Sequence, residues 1–457
     1  MATYWTDSSV GFALQTNFAT ENTADSDFVF IKAEQPSVTF DTEVTEVDLM
    51  EGQVGAASER IIGRRSGSIT LSMPLEGFVD GYNPVAENPG GTPVAANVIP
   101  PGLVLMANAM GSYSTGVVNN AGFWQGGELM SCSEYTEGTD TPPGAGVDSA
   151  TSTAITLYNS TASDKIKAGE YMCTSTTATT TTVQSGFVKT KAGQVMTLFE
   201  ASTNTVNVDG ANVYGTATSW QGADQPLPLT IRWVGNNAKF CYRLVGAICE
   251  SFTINLNAAE TPTIEYTYRF YDFIADNVDG GIEIPDAYDR VPQIIGTANG
   301  RVTIGGDVTC GLEEVTVEWS AGDLREIVCH SEDSGIESVT IVRPTIKASF
   351  SIPQEMNDPI YNAAGVTLGV TEGANEWQSA LELGTRKSFG VECGARIGRM
   401  FSILIPSGLV VASPIANDEL VRYSIELEAA SYSTDSTDTA ETSANSPLDS
   451  IFRISQG

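Results

Sequence analysis

Arg64-Arg65-Ser66-Gly67-Ser68-Ile69-Thr70-Leu71-Ser72-Met73-Pro74 returns without a gap as Arg343-Pro344-Thr345-Ile346-Lys347-Ala348-Ser349-Phe350-Ser351-Ile352-Pro353. Both stretches open on Arg, close on Pro and place a Ser before the last apolar residue. Between these points polar and apolar residues alternate, the pattern of a strand that buries one face and wets the other. The separation, 343 − 64 = 279, is constant through the stretch, and an internal repeat of this kind reorganises the reading of everything around it.

Flanking elements recur in the same order. Phe252–Leu256 and Ile264–Phe270 alternate with period two and are joined by a short Pro-containing link, so they predict an antiparallel hairpin. Phe401–Ile405 and Val421–Leu427 read as their counterparts. Ser37–Thr39 with Glu43–Val47 reads as the counterpart of Asp307–Thr309 with Glu314–Glu318. One short helix is expected in each copy. Leu103–Met110 follows a Pro-Pro-Gly start and stops at Gly111, while Asn375–Leu383 has an Asn cap and stops at Gly384.

The expected fold is therefore mainly β, with two tandem antiparallel sandwich or barrel domains, each carrying a short helix. Copy A spans 27–275 after an N-terminal arm at 1–26, and copy B spans 292–432 after a linker at 276–291. Copy A is lengthened by an insertion at 133–221, rich in Ser, Thr and Gly, in which apolar alternation persists at Ile155–Leu157 and Val195–Leu198. Thr favours strands, so the insertion is expected to be a small β domain. Residues 433–457 read as an acidic polar tether ending in a C-terminal arm, where Leu448, Ile451, Phe452 and Ile454 regain apolar character. The arm is expected to serve stacking more than folding.

Composition narrows function. With 56 acidic against 23 basic residues the formal charge is −33, the wrong sign for a surface that grips nucleic acid by releasing counterions. No apolar run is long enough for a membrane helix, and Met1–Thr20 lacks the basic and apolar regions of a secretory signal. The seven cysteines are scattered with no CxxC, which leaves neither a zinc site nor a disulfide framework and points to buried thiols. His330 is the only histidine; it sits beside Cys329, Glu332 and Asp333 with no nucleophile motif, so histidine-based catalysis and metal binding are not expected. The acids from Asp41 to Glu51 lack the glycine and spacing of a calcium loop. Gly280-Gly281 and Gly305-Gly306 lack the helix a phosphate cradle needs. The chain is thus expected to have no cofactor and no enzymatic activity. A β-rich glycoside hydrolase would need two carboxyls set across a pocket.

The element order resembles that of phage tail tube proteins. The resemblance rests on the strand ending Ser72-Met73-Pro74, the long link before it, the helix at Leu103–Met110 and the closing hairpin Glu250–Asp272, and it extends over both copies. It implies a structural virion protein of a long non-contractile tail, with small sandwiches closed into rings whose inner strands form one barrel. Rings stack through loops and arms. Most such proteins carry one copy in hexameric rings, so two copies imply a trimer with six similar units. The implied partners are further copies of the chain, a tape-measure protein, tail terminator and tail-tip proteins, and DNA that passes without specific binding. The implied location is the virion tail, after assembly in the host cytoplasm. Expected lumen-facing residues are Thr70, Ser72, Glu265, Thr267, Ser424 and Glu426. Expected stacking loops contain Asp48, Glu51, Arg60 and Arg64 in copy A and Asp323, Arg325 and Glu332 in copy B. The alternative is a tail-tip hub or an adhesin that binds glycan through its β-rich insertion.

Overall fold

The computed structural model describes residues 8–47, 59–79, 101–118, 124–126, 147–157, 169–175, 184–199, 212–235, 240–276, 292–294, 301–309, 314–328, 336–353, 380–394, 400–431 and 450–456, apart from single positions and short gaps within these ranges. The fold is mainly β and antiparallel. Eight strands form one continuous wall. In chain order they are β1 (Ser37–Val47), β2 (Glu59–Pro74), β3 (Phe240–Asn255), β4 (Thr263–Phe270), β5 (Val315–Ser320), β6 (Thr345–Pro353), β7 (Phe401–Ala412) and β8 (Val421–Ala429). In space they lie in the order β1-β2-β4-β3-β5-β6-β8-β7. The first four and the last four repeat the same arrangement, and β3 pairs with β5 to join them.

Register fixes how the halves correspond. Ser37 faces Thr70 and Thr316 faces Ser349, and both pairs are related by 316 − 37 = 349 − 70 = 279. The counterpart of Ser37–Thr39 is therefore 316–318, not Asp307–Thr309, which instead pairs with Arg301–Ile304 in the outer layer. Ser72 faces Glu265 and Ser351 faces Ser424, so Glu265 corresponds to Ser424. That is a two-residue slip from the sequence alignment, and it keeps every side chain on its expected face.

β3 and β7 each serve two layers. Irregularities at Cys249/Ser251 and at Val410/Ala412 bend them at corresponding points, since Thr267 faces Ser251 and Glu426 faces Ala412. Before the bend each runs in an outer sheet. In copy A the outer order is Val29–Ile31, Ser8–Leu14, Leu229–Gly235, β3, Asp272–Asp276. In copy B it is Asp307–Thr309, Arg301–Ile304, Arg386–Cys393, β7, Arg453–Gln456. Phe401–Ile405 thus belongs to the outer layer and does not answer Phe252–Leu256. Ser8–Leu14, expected in a free arm, is a paired member of copy A.

Between wall and outer sheets runs one apolar core through both copies, including Ile69, Leu71, Tyr266, Phe252, Trp319, Phe350, Phe389 and Ile425. The helix α1 (Pro101–Ala109) lies on it, burying Leu103, Met106 and Met110, and Tyr266 donates a 2.6 Å hydrogen bond to the Gly102 carbonyl. In copy B residues 380–383 are helical; the expected Asn375 cap lies outside the described residues. Gly67 is required where it stands, because a Cβ there would lie 2.1 Å from the Thr39 carbonyl and 2.4 Å from the Phe270 ring.

The insertion forms a separate six-stranded sheet in the order Asn212–Tyr214, Tyr171–Ser175, Gln184–Ala192, Val195–Leu198, Ala154–Leu157, Val147–Ala150. Although it interrupts copy A, it docks on copy B. Tyr171 and Phe187 pack with Met400 and Leu404, and the Tyr171 hydroxyl donates to Glu392 at 3.1 Å.

The C-terminal arm is part of the fold. Arg453–Gln456 is a central strand between Phe401–Leu404 and Ala217–Trp220. All four residues are buried, as is Phe452. In copy A the equivalent slot beside β3 is filled by Asp272–Asp276, one residue after β4. In copy B it is filled from beyond the tether. The expectation that this arm serves stacking more than folding is corrected, since removing a central strand exposes both neighbours and the core beneath them. Phe452→Ala is expected to lower unfolding stability by about 3–5 kcal/mol, the range for a fully buried Phe, measured by urea unfolding; a change below about 1 kcal/mol would show that the strand is not integral.

Candidate assembly interface

One face of the wall is polar from β1 to β8, while on β7 Leu409 stands opposite Glu428 and Ala412 opposite Glu426. Across the strands Ser37, Thr70, Thr267, Ser251, Ser320 and Thr345 stand in one row, all hydroxyl-bearing. Ser72, Glu265, Thr253, Glu318, Lys347 and Glu428 stand in a second. Thr263, Asn255, Thr316, Ser349 and Glu426 stand in a third. Each alternate residue points the other way into the core, as in Ile264, Tyr266, Tyr268 and Phe270. Thr70, Ser72, Glu265, Thr267, Ser424 and Glu426, chosen from alternation, all lie on this one exposed or half-buried face. Its carboxylates outnumber its cations. Lys347 is held by Glu426 at 2.6 Å, and that hydrogen bond raises its pKa above the ordinary lysine value.

The β3–β5 junction shows what this wall accepts at an edge. Trp319 on β5 stacks on Phe252 of β3, with centroids 5.3 Å apart and planes 6° from parallel, a contact worth about 0.5–1.5 kcal/mol beyond its burial. Its indole donates to Gln221 at 2.7 Å, and Gln221 in turn donates to the Met110 carbonyl at the end of α1. The Ala321 amide donates to the Glu250 carbonyl. Trp319 is 0% exposed.

The far edges lack this cover. On the outer side of β1 no described strand is paired, and the same holds for the side of Ala412 that corresponds to the β5 side of Ser251. Phe40 on β1 stands 279 residues before Trp319, at its register position, and is 41% exposed. Val411, the bulge residue of β7 matching Glu250 of β3, is 41% exposed as well. Phe40 keeps ring contacts on its inner side with Tyr242, Phe270 and Phe273. Its exposure comes from the missing neighbouring strand.

Both regions expected to be stacking loops are β-hairpin arms. β1 and β2 continue past the wall as a ribbon in which Glu46 faces Arg60. In copy B, Leu324–Val328 pairs with Ile336–Ile341, and Glu326 faces Val339. Gly322, at φ +66°, makes the turn from β5 into this arm, where a Cβ would meet the Arg343 carbonyl at 2.2 Å. Asp323 accepts from the Val342 amide at the arm's base, and Arg325 is exposed on it opposite Thr340. Asp48, Glu51 and Glu332 lie outside the described residues.

Arg64 does more than flank its strand. It donates twice to Glu326, at 2.7 and 2.9 Å, tying copy A to the arm of copy B. Arg269 lies 3.5 Å from Glu326 and 3.8 Å from Glu250, and both guanidiniums sit over the Tyr271 ring, at 5.0 and 5.4 Å. Beneath the clamp Tyr271, Phe18, Ile248, Ile336 and Val339 form a small apolar cluster. The Arg64 hydrogen bonds hold the Glu326 carboxyl below its ordinary pKa, while burial pushes the Tyr271 phenol up to about 12. Glu326, Arg269, Tyr271, Trp319 and Phe40 were not singled out in the sequence. Phe40 alone carried a signal, as the one aromatic in the Thr- and acid-rich strand Ser37–Val47.

Among the described residues there is no group of three or more potential metal ligands. Cys249 and Cys393 are buried free thiols whose pKa values burial raises. No helix is long and apolar enough to cross a membrane. No protein-family model matches the chain, and neither does any curated protein sequence.

Because the folded Glu326 pKa lies below that of an unfolded glutamate, near 4.3, the clamp adds stability above that pH and loses it as the pH falls through the folded value. Glu326→Gln is expected to cost about 1–3 kcal/mol at pH 7, in the range for charge-assisted hydrogen bonds. The loss should shrink by pH 3; urea unfolding at both pH values measures it, and a pH-independent loss would contradict the assignment.

Proposed function

We propose that the chain is the repeating unit of a phage tail tube, a structural virion protein of a long non-contractile tail. The end of β7 together with Ile415–Asn417, which pairs with β8 as the end of β3 pairs with β4, forms the edge that in one copy pairs with β1 of the next as β3 pairs with β5 within the chain. The observation that carries this reading is the β3–β5 junction itself. Two four-strand units of identical order meet there head to tail, and among the described residues the same two edge types are left open at the two ends of the wall.

A head-to-tail contact between different edges either closes into a ring or runs on without end. Closure removes both exposed edges, each of which otherwise offers unpaired N–H and C=O groups to any partner. Three chains would present 3 × 2 = 6 similar units and 3 × 8 = 24 wall strands, with a formal charge of 3 × −33 = −99 per ring. With the polar face inward, the lumen carries Thr70, Ser72, Glu265, Thr267, Ser424 and Glu426. DNA meets hydroxyls and like charge there and slides without specific binding. The apolar core and the docked insertion lie on the opposite side of the wall, which keeps the insertion clear of the passage. The hairpin arms meet the next ring, a tape-measure protein occupies the lumen during assembly, and terminator and tail-tip proteins close the two ends. The chain has no catalytic role and is assembled in the host cytoplasm.

The adhesin reading gains less support. Tyr171, Phe187 and Trp220 of the insertion are buried and Phe199 is half-buried, so these rings fill cores and offer no glycan-stacking platform.

Electron microscopy and sedimentation of the purified chain test the proposal. Hollow rings or stacked tubes of three chains per ring are expected. A monomer that persists at high concentration would sink it. Phe40→Lys, which places a charge on the free edge of β1, should leave a folded monomer and abolish rings.

A further inference from the structure

The Arg64–Glu326 clamp has a second pair of positions that the folded chain leaves apart. Arg343 stands at 64 + 279, in the short break between Ile336–Ile341 and β6, where copy A has Arg64 within the unbroken β2. It is exposed, and among the described residues it has no ionic partner. On the other side, Glu326 faces Val339 in its arm and Glu46 faces Arg60, with 339 − 60 = 279. Glu46 therefore holds the register position of Glu326, the one-residue difference in numbering arising from the irregularity between Thr42 and Val44.

Within the chain the arginine belongs to one four-strand unit and the glutamate to the next unit along. Extended by one step, the same relation joins Arg343 to Glu46 of the following copy. We infer that Arg343 of one copy and Glu46 of its neighbour form an ion pair at each seam between chains, the counterpart of the internal clamp. This rests on the ring reading above. It adds to that reading the residues that select the neighbour and the register in which it docks.

The two clamps differ in their surroundings. The positions of Arg269 and Tyr271 are taken in copy B by Glu428 and Ala430, 159 residues later. The seam thus lacks the second guanidinium and the aromatic ring that support Arg64, and Glu428 puts a carboxylate where copy A has the Arg269 cation. An exposed pair of this kind is screened by salt. Rings should come apart at the seams between chains, into intact monomers, well before the junction inside a chain opens.

Charge reversal tests the pairing. Arg343→Glu and Glu46→Arg are each expected to lower the ring fraction at least tenfold near 0.15 M salt, measured by sedimentation, while thermal unfolding of the monomer stays unchanged. The double reversal should restore assembly to within about threefold of the unaltered chain. If the unaltered chain forms rings and either the single variants assemble normally or the double variant is no better than the singles, this pairing is wrong and the ring reading stands. If the unaltered chain forms no rings, the ring reading falls and takes the pairing with it. Should a reversed variant fold poorly, a double-mutant cycle with Arg343→Ala and Glu46→Ala decides the same question: coupling in ring dissociation supports the pair, and additivity overturns it.

Discussion

An edge strand carries backbone donors and acceptors that only another strand or water can satisfy, and this chain meets that constraint with its own second copy on one side alone. β3 and β5 exchange hydrogen bonds along the junction, and Trp319, Phe252 and Gln221 seal it against the core. Everything else in the wall follows from making that junction possible. The bends at Cys249/Ser251 and Val410/Ala412 turn β3 and β7 out of the outer sheets and into the wall. Without them the strands would stay in the outer layer, and no edge would be presented to the next unit. Among the described residues the same construction leaves the outer sides of β1 and of the end of β7 without a partner strand, so the unit that solves the problem internally also displays it externally.

The two sides of the wall divide the work. Alternation sends Tyr266, Phe270, Trp319, Phe350 and Ile425 into one continuous core, which makes the two copies a single body. The other face keeps hydroxyls and carboxylates in register across β2, β4, β3, β5, β6 and β8. With more carboxylates than cations, that face has the wrong sign to grip nucleic acid by counterion release. Rigidity comes from elements that cross between copies: the Arg64–Glu326 clamp, the insertion seated on copy B, and the C-terminal strand held between Phe401–Leu404 and Ala217–Trp220.

The fold class, the repeat and the polar face were legible because they depend on period-two alternation, which is local. Register was not. Asp307–Thr309 resembles Ser37–Thr39 over three residues, too short a match to distinguish an outer hairpin from a wall strand. Phe401–Ile405 is apolar at every position but Ser402 because Phe401 and Ile403 face the core while Leu404 faces the insertion, a burial on both sides that hides which strand it matches. The sequence predicts an external arm at the C-terminal strand because that strand follows a polar tether and buries Arg453 and Gln456, residues whose types predict exposure. The clamp joins residues 262 apart, and no local pattern announces such a contact. Phe40 could be seen as an oddity, but its meaning needed Trp319 beside it as a template.

In the proposed assembly β1 is an open edge that receives the β7 end of another copy. Amide hydrogen exchange over Ser37–Val47, measured on the monomer and on the assembled protein, addresses it directly. Exchange at Val38 and Phe40 should be fast in the monomer and slowed strongly on assembly, while Val317 and Trp319 stay protected in both. Protection at Val38 and Phe40 in the monomer, or continued fast exchange in the assembly, would contradict the account.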